Sequence, residues 1–157
     1  MRLRGICLAL FWPAFACAEH FDIKLSATLA NGATQQAFAD QSPPAGGLNP
    51  RPVLKARVGE KITIQFIMTN VYAHASAPDA GVRYYVVREK EIGQKTVPAL
   101  QDVTVEGSFN FDLKPKARIG ARQRITISQP GNYLLRVESL RTQREHEHFA
   151  AIDIQVQ

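Results

Sequence analysis

Apolar and polar residues alternate along most of this chain with a period of two. From His20 to Leu29, Phe21, Ile23, Leu25, Ala27 and Leu29 fall on one side, and His20, Asp22, Lys24, Ser26 and Thr28 on the other. That is the signature of a half-buried strand. Asn31-Gly32 then predicts a turn. Residues 40–52, with four prolines and paired glycines, cannot hold a regular ladder and are read as a surface loop. Val53–Val58 predicts a short strand, and Gly59-Glu60 turns the chain. Lys61–Val71 gives the clearest alternation, with Ile62, Ile64, Phe66 and Met68 inward and Lys61, Thr63 and Gln65 outward.

After a loop over Ala73–Gly81, Val82–Arg88 is apolar on both faces, which places it mid-sheet. A loop over Gly93–Pro98 leads to Val103–Leu113, with Val103, Val105, Phe109, Phe111 and Leu113 on one face and Gly107 as a candidate bulge. Arg122–Ser128, Gly131–Ser139 and Phe149–Val156 complete the series. No stretch keeps a helical period over the length a helix needs. About seven to eight strands at regular spacing predict an all-β fold. The expected form is an antiparallel two-sheet Greek-key sandwich.

The first residues follow a different pattern. Met1 to Gly5 is basic, Ile6 to Ala16 is apolar, and Ala16-Cys17-Ala18 is a small-residue cleavage site, so residues 1–18 read as a secretory signal peptide. Residues 19–157 then form a single domain. Both cysteines lie inside the signal, so the exported form would hold neither a disulfide nor a thiolate ligand. The apolar run is shorter than a membrane span and contains Pro13. Lipidation of Cys17 is the competing reading, although Phe15 fits a lipobox poorly.

Charge narrows the partners. Removing Arg2 and Arg4 from the 19 Lys and Arg leaves 17 against 14 Asp and Glu, a net +3 rather than +5. The basic residues alternate with apolar ones instead of clustering, which is no nucleic-acid footprint. The expected setting is periplasmic or secreted. The expected partner is a protein or envelope component, with no nucleic acid and no membrane insertion after cleavage.

Pro130-Gly131-Asn132-Tyr133 ahead of Leu134-Leu135-Arg136-Val137 resembles the start of a late strand in immunoglobulin-like and cupredoxin-like domains. The resemblance implies structural roles for Gly131 and Tyr133, the tyrosine closing a corner with its hydroxyl on upstream backbone. Val58-Gly59-Glu60-Lys61-Ile62, then Phe66, Asn70 and His74, is similar to the middle of cupredoxins. There such a strand leads to an asparagine and then to a copper-binding histidine. A blue-copper site needs a cysteine thiolate, and Val137, Glu138 and Ser139 occupy the region where it would stand. Type 1 copper chemistry is therefore excluded on ligand grounds.

Four histidines follow the signal: His20, His74, His146 and His148. Extending strand parity puts His146 and His148 inward at one end of the sandwich, and His74 on the inward parity of its own strand. Three imidazoles converging there would suit copper or zinc, with Glu138 or Glu147 as a fourth ligand or supporting group. A solvated hairpin tip over Arg141–Glu147 is the plainer reading, and Phe149 interrupts the parity. No catalytic constellation stands out: no Gly-x-Ser-x-Gly occurs, and Glu106, Asp112, Glu138 and Asp153 read as alternating surface positions. The Arg88-Glu89-Lys90-Glu91 run reads as a solvated strand end. The sequence thus points to an exported non-enzymatic β-sandwich module that binds through its loops, on the rim made by Tyr72–Gly81 and Leu140–His148. A histidine-based copper or zinc carrier is the alternative, and an unseen hydrolase ranks third.

Overall fold

The computed structural model describes residues 21–39, 50–101, 103–140 and 148–157. Nine strands form two sheets packed face to face. They are β1 (Phe21–Leu29), β2 (Thr34–Ala39), β3 (Val53–Ala56), β4 (Lys61–Asn70), β5 (Ala77–Glu89), β6 (Val103–Leu113), β7 (Arg118–Thr126), β8 (Gly131–Leu140) and β9 (Phe149–Val156). The sheets run β2-β1-β4-β7 and β3-β9-β8-β5-β6. The chain crosses between them after β2, β3, β4, β6 and β7, so neighbours in sequence often lie on opposite sheets.

The two-residue period explains the core. Phe21, Ile23, Leu25, Ala27 and Leu29 of β1 meet Ile62, Ile64, Phe66 and Met68 of β4 on one inner face. Tyr133, Leu135 and Val137 of β8, with Ala150, Ile152, Ile154 and Val156 of β9, supply the other. β5 lies between β8 and β6, the inner position that its two apolar faces require.

Several expectations are corrected. The described residues form nine strands, not seven or eight; β2 is an additional edge strand, and β5 starts at Ala77, inside the segment expected to be loop. β7 begins at Arg118, four residues before the expected start. The sandwich is not wholly antiparallel, because β3 pairs with β9 in parallel. Gly107 is not a bulge. It lies in register opposite Tyr84, and the irregularities of that pair fall between Ala77 and Ala80 and between Val86 and Val87. What Gly107 provides is room: the Tyr84 ring lies over it, where a Cβ would collide.

The expected corner is present. Tyr133 is 3% exposed, and its hydroxyl donates to the Gln129 carbonyl at 3.0 Å. Gly131 precedes it at φ 148°, and a Cβ there would meet the Arg88 guanidinium at 3.2 Å. That guanidinium in turn donates to the Pro130 carbonyl at 3.2 Å. Gly131 therefore meets both a backbone and a space requirement.

Two outcomes follow. Phe66→Ala removes a ring packed between Tyr84 and Phe109 and should lower unfolding free energy by about 3–5 kcal/mol, whereas Gln65→Ala, on the exposed face, should change it little. Tyr133→Phe strands the Gln129 carbonyl and should lower stability by about 1–3 kcal/mol. Denaturant titrations measure both.

Candidate functional site

One end of the sandwich gathers the segments that the sequence singled out. β1 begins there at Phe21, β4 ends at Asn70, β6 ends at Leu113 and β8 ends at Leu140. β5, β7 and β9 begin there. Asn70 holds this rim together. Its side chain is fully buried, and its Nδ2 donates to the carbonyls of Ala75 (2.9 Å), Leu113 (3.2 Å) and Lys114 (3.2 Å). Its Oδ1 accepts from the Tyr72 amide at 3.0 Å. One amide thus fixes the 71–76 loop against the 114–117 turn. Lys116 adds two links, its amide to the Tyr72 carbonyl at 3.1 Å and its Nζ to the Val71 carbonyl. Asp79, at φ 48°, donates its amide to Asp112 Oδ1 at 2.9 Å. At the root of the β8–β9 connection, the Ser139 amide donates to the His148 carbonyl at 2.8 Å, and the His148 amide donates to Ser139 Oγ at 3.1 Å.

The histidines divide. His148 is buried, with its ring edge-on to Phe21 at 6.4 Å between centroids. The inward parity of Ala150 does extend back to it, because Phe149 needs no bulge: its ring faces outward under the Arg136 guanidinium at 4.0 Å. His74 shares the rim but is exposed, because β4 ends at Asn70 and parity does not carry four residues further. His146 and His20 lie outside the described residues. Among the described residues, no group of three or more His, Cys, Asp or Glu is placed to hold a metal.

Charged groups that sequence reasoning put on the surface are buried instead, on the outer face of the five-stranded sheet. Glu138 is 3% exposed and accepts from Arg136 Nε (2.7 Å) and Arg83 Nε (2.7 Å), with Arg83 Nη2 also on it. Beside it, burial and the Glu138 charge push the Tyr85 hydroxyl up to about 12. Nearer the other end, Arg51 Nη2 donates to Glu89 at 2.9 Å, while its Nε stands 2.6 Å from Asp153 Oδ1 but off the axis of a hydrogen bond. Both carboxylates have 0% side-chain exposure. The segment between β5 and β6 covers them: the Gly93 amide donates to Asp153 Oδ2 at 2.7 Å. Leu100 and Val103 pack on Tyr85, Val87, Leu134 and Ala151. The sequence did hold a signal, since Ala151 and Leu134 share the outward parity with these charges and an apolar outer face implies a cover.

No family model matches the chain, and no curated protein matches it. Solved structures do. A family 123 glycoside hydrolase from Clostridium perfringens matches at 12% identity and TM-score 0.45, over 70% of this chain and 23% of its own. The chain therefore spans less than a quarter of that protein. The PmoD soluble domain from Methylocystis sp. ATCC 49242 (Rockwell) matches at 9% identity and TM-score 0.41, over 86% and 90%. An AA10 LPMO from Photorhabdus luminescens matches at 10% identity and TM-score 0.39, over 73% and 62%. At these scores the likenesses carry no argument about activity.

The buried acid pair gives a pH prediction. Burial first, and then the like charge of Asp153, raise Glu89 from 4.5 to about 7 against the partial offset of Arg51. The folded state then holds a proton that the unfolded state has released, so stability falls as pH rises from about 4.5 to about 7. Glu89→Gln keeps the shape without the charge. Melting temperatures across pH 4.5–7.5 should decline less in the variant than in the wild type, and its advantage should be greatest at the upper end.

Proposed function

We propose that the protein is an exported, non-enzymatic β-sandwich module that binds a protein or envelope component through the pinned rim. The observation that carries this reading is Asn70. A fully buried amide uses both its donor nitrogen and its acceptor oxygen on backbone from Tyr72, Ala75, Leu113 and Lys114. It thereby presents the exposed residues Ala73–Ser76 in one fixed conformation. Binding loops gain affinity when their ordering is achieved before the partner arrives, and a rigid sandwich with fixed end loops suits that role. The chemistry of the buried acids supports binding over catalysis. Glu89 and Asp153 are closed off from any substrate, and Glu138 is neutralised by two arginines.

The test is a photo-reactive residue at Ser76 in the exported protein, with the same residue at Thr96 on the covering segment as control. A defined adduct at Ser76, absent at Thr96 and lost with Asn70→Ala, is the expected result. Equal labelling at both positions, or labelling at neither, would contradict the reading.

One observation favours the second reading, a copper or zinc carrier using His74, His146 and His148: His74 and His148 stand on the same rim. Imidazole must lose its proton to bind metal, so affinity should fall as pH drops through about 6.5. Calorimetric titration with Cu(II) or Zn(II) at pH 7.5 and 5.5 tests it. Tight binding at the higher pH, lost in His74→Ala/His146→Ala, supports a carrier. Binding weaker than roughly 100 µM removes it.

A further inference from the structure

The outer face of the four-stranded sheet differs from that of its partner sheet. No segment among the described residues packs across it, and its side chains form straight rows set by the strand register. One row runs Thr34, Thr28, Thr63, Arg124, and the next Gln36, Ser26, Gln65, Arg122. The third runs Phe38, Lys24, Ile67, Gly120, and the last Asp22, Thr69, Arg118. Lys61 stands beyond them, opposite Thr126. Among the described residues, the charges on this face are therefore Lys24, Lys61, Arg118, Arg122 and Arg124 against Asp22. Lys24, Lys61 and the three arginines are all exposed. Among the described residues none of these cations forms an ion pair, whereas Arg51, Arg83 and Arg136 on the other sheet's side all do.

The arginines follow one another along β7 at the same-face spacing of a strand, with Arg122 and Arg124 about 6.8 Å apart and Arg118 about 20 Å from Arg124. Charges on an edge strand deter edge-to-edge pairing. Lys24, however, lies on the interior strand β1, so the positive field reaches beyond the edge. Apart from Ile67 and Gly120, the rest of the face is made of hydroxyls and amides, among them Ser26, Thr28, Thr34, Gln36, Thr63 and Gln65. One large apolar side chain is exposed among them, Phe38 at 56%, with Lys24 Nζ 5.7 Å from its ring centroid.

We propose that this face binds an acidic polysaccharide. A linear polyanion can lie along the β7 arginines, its carboxylates meeting guanidinium groups with the fork geometry that favours arginine. The sugar hydroxyls then meet the threonine, serine and glutamine rows, and the Phe38 ring offers an apolar face to a sugar ring. Rows of hydroxyl and amide groups match a hydroxylated polymer better than a bilayer, which would call for more apolar side chains than Phe38 and Ile67. The inference goes beyond the rim reading and concerns a different surface.

The test is affinity electrophoresis in gels containing polygalacturonate, with neutral dextran gels and sedimentation with phosphatidylglycerol vesicles in parallel. The wild type should be retarded by polygalacturonate, less so as salt rises, and not by dextran. Arg118→Ser/Arg122→Ser/Arg124→Ser should bind about a hundredfold more weakly, roughly a factor of five per arginine. Phe38→Ala should weaken binding a few-fold. Arg122→Lys/Arg124→Lys keeps the charge without the fork, guards against a folding artefact and should lose only a few-fold in affinity, whereas Lys90→Ser/Lys95→Ser on the covering segment should bind as the wild type does. Melting temperatures confirm that each variant is folded. No retardation of the wild type, equal retardation of the triple-serine variant, or sedimentation with vesicles in place of retardation would overturn the proposal. None of these outcomes alters the rim labelling at Ser76, so the two readings fail separately.

Discussion

A single buried carboxamide organises one end of this protein. Asn70 ends β4 in one sheet, yet it bonds the last carbonyl of β6 in the other sheet and the loop that leads to β5. A carbonyl withdrawn from water without a donor is expensive, and without this side chain the buried Leu113 carbonyl would lose its Asn70 donor, as would the part-buried carbonyls of Ala75 and Lys114. Aspartate at this position would offer no donor, and leucine would offer no polar atom. The fixed rim, and the binding role proposed for it, depend on that one side chain.

The outer faces of the two sheets show how the same strand geometry serves two ends. On the five-stranded sheet the chain returns over part of its own surface, and the carboxylates withdrawn from water there and beside it are paired internally. Arg51 with Glu89 and Asp153, and Glu138 with Arg83 and Arg136, make up these pairs. Such pairs add little net stability relative to apolar packing. Their effect is to fix where Pro50–Pro52 and the segment after β5 lie, because a displaced partner would leave a buried charge alone. On the four-stranded sheet nothing in the described chain demands pairing, and the cations face water. A surface with unpaired positive charge in register is available to an anionic partner in a way that the sealed face is not.

Most of the strands were legible from alternation alone, and β6 and β9 have the bounds expected of them. The misses have physical causes. Thr34–Ala39 is an edge strand whose inner side holds only Gln35 and the small Ala37 and Ala39, while Phe38 faces outward, so it carries little alternation. Ala77–Gly81 contains Pro78 and Gly81 and looks like a turn, but pairing with β6 and β8 holds it in the sheet. The parallel union of β3 and β9 pairs residues 100 positions apart, such as Val53 with Asp153, which no local pattern records. At the rim, parity carried to His148 and failed at His74, since the strand stopped at Asn70. Asn70 itself was visible through the cupredoxin-like spacing, but its bonding partners were not, because they come from distant segments. Glu89, Glu138 and Asp153 were taken for surface groups because their charge suggested water, while the segment over Glu89 and Asp153 and the Arg83, Arg136 and Tyr85 side chains around Glu138 are tertiary features.

Amide hydrogen exchange of residues 71–76 and 114–117, in the wild type and in Asn70→Ala, tests the central claim most directly. A rim pinned by this side chain should show protection at the Tyr72, Lys116 and Ala117 amides in the wild type. In the variant that protection should collapse while the amides of β1, β8 and β9 remain slow. Exchange at the rim that is already fast in the wild type, or that is unchanged by the substitution, would contradict a preorganised rim and the binding role built on it.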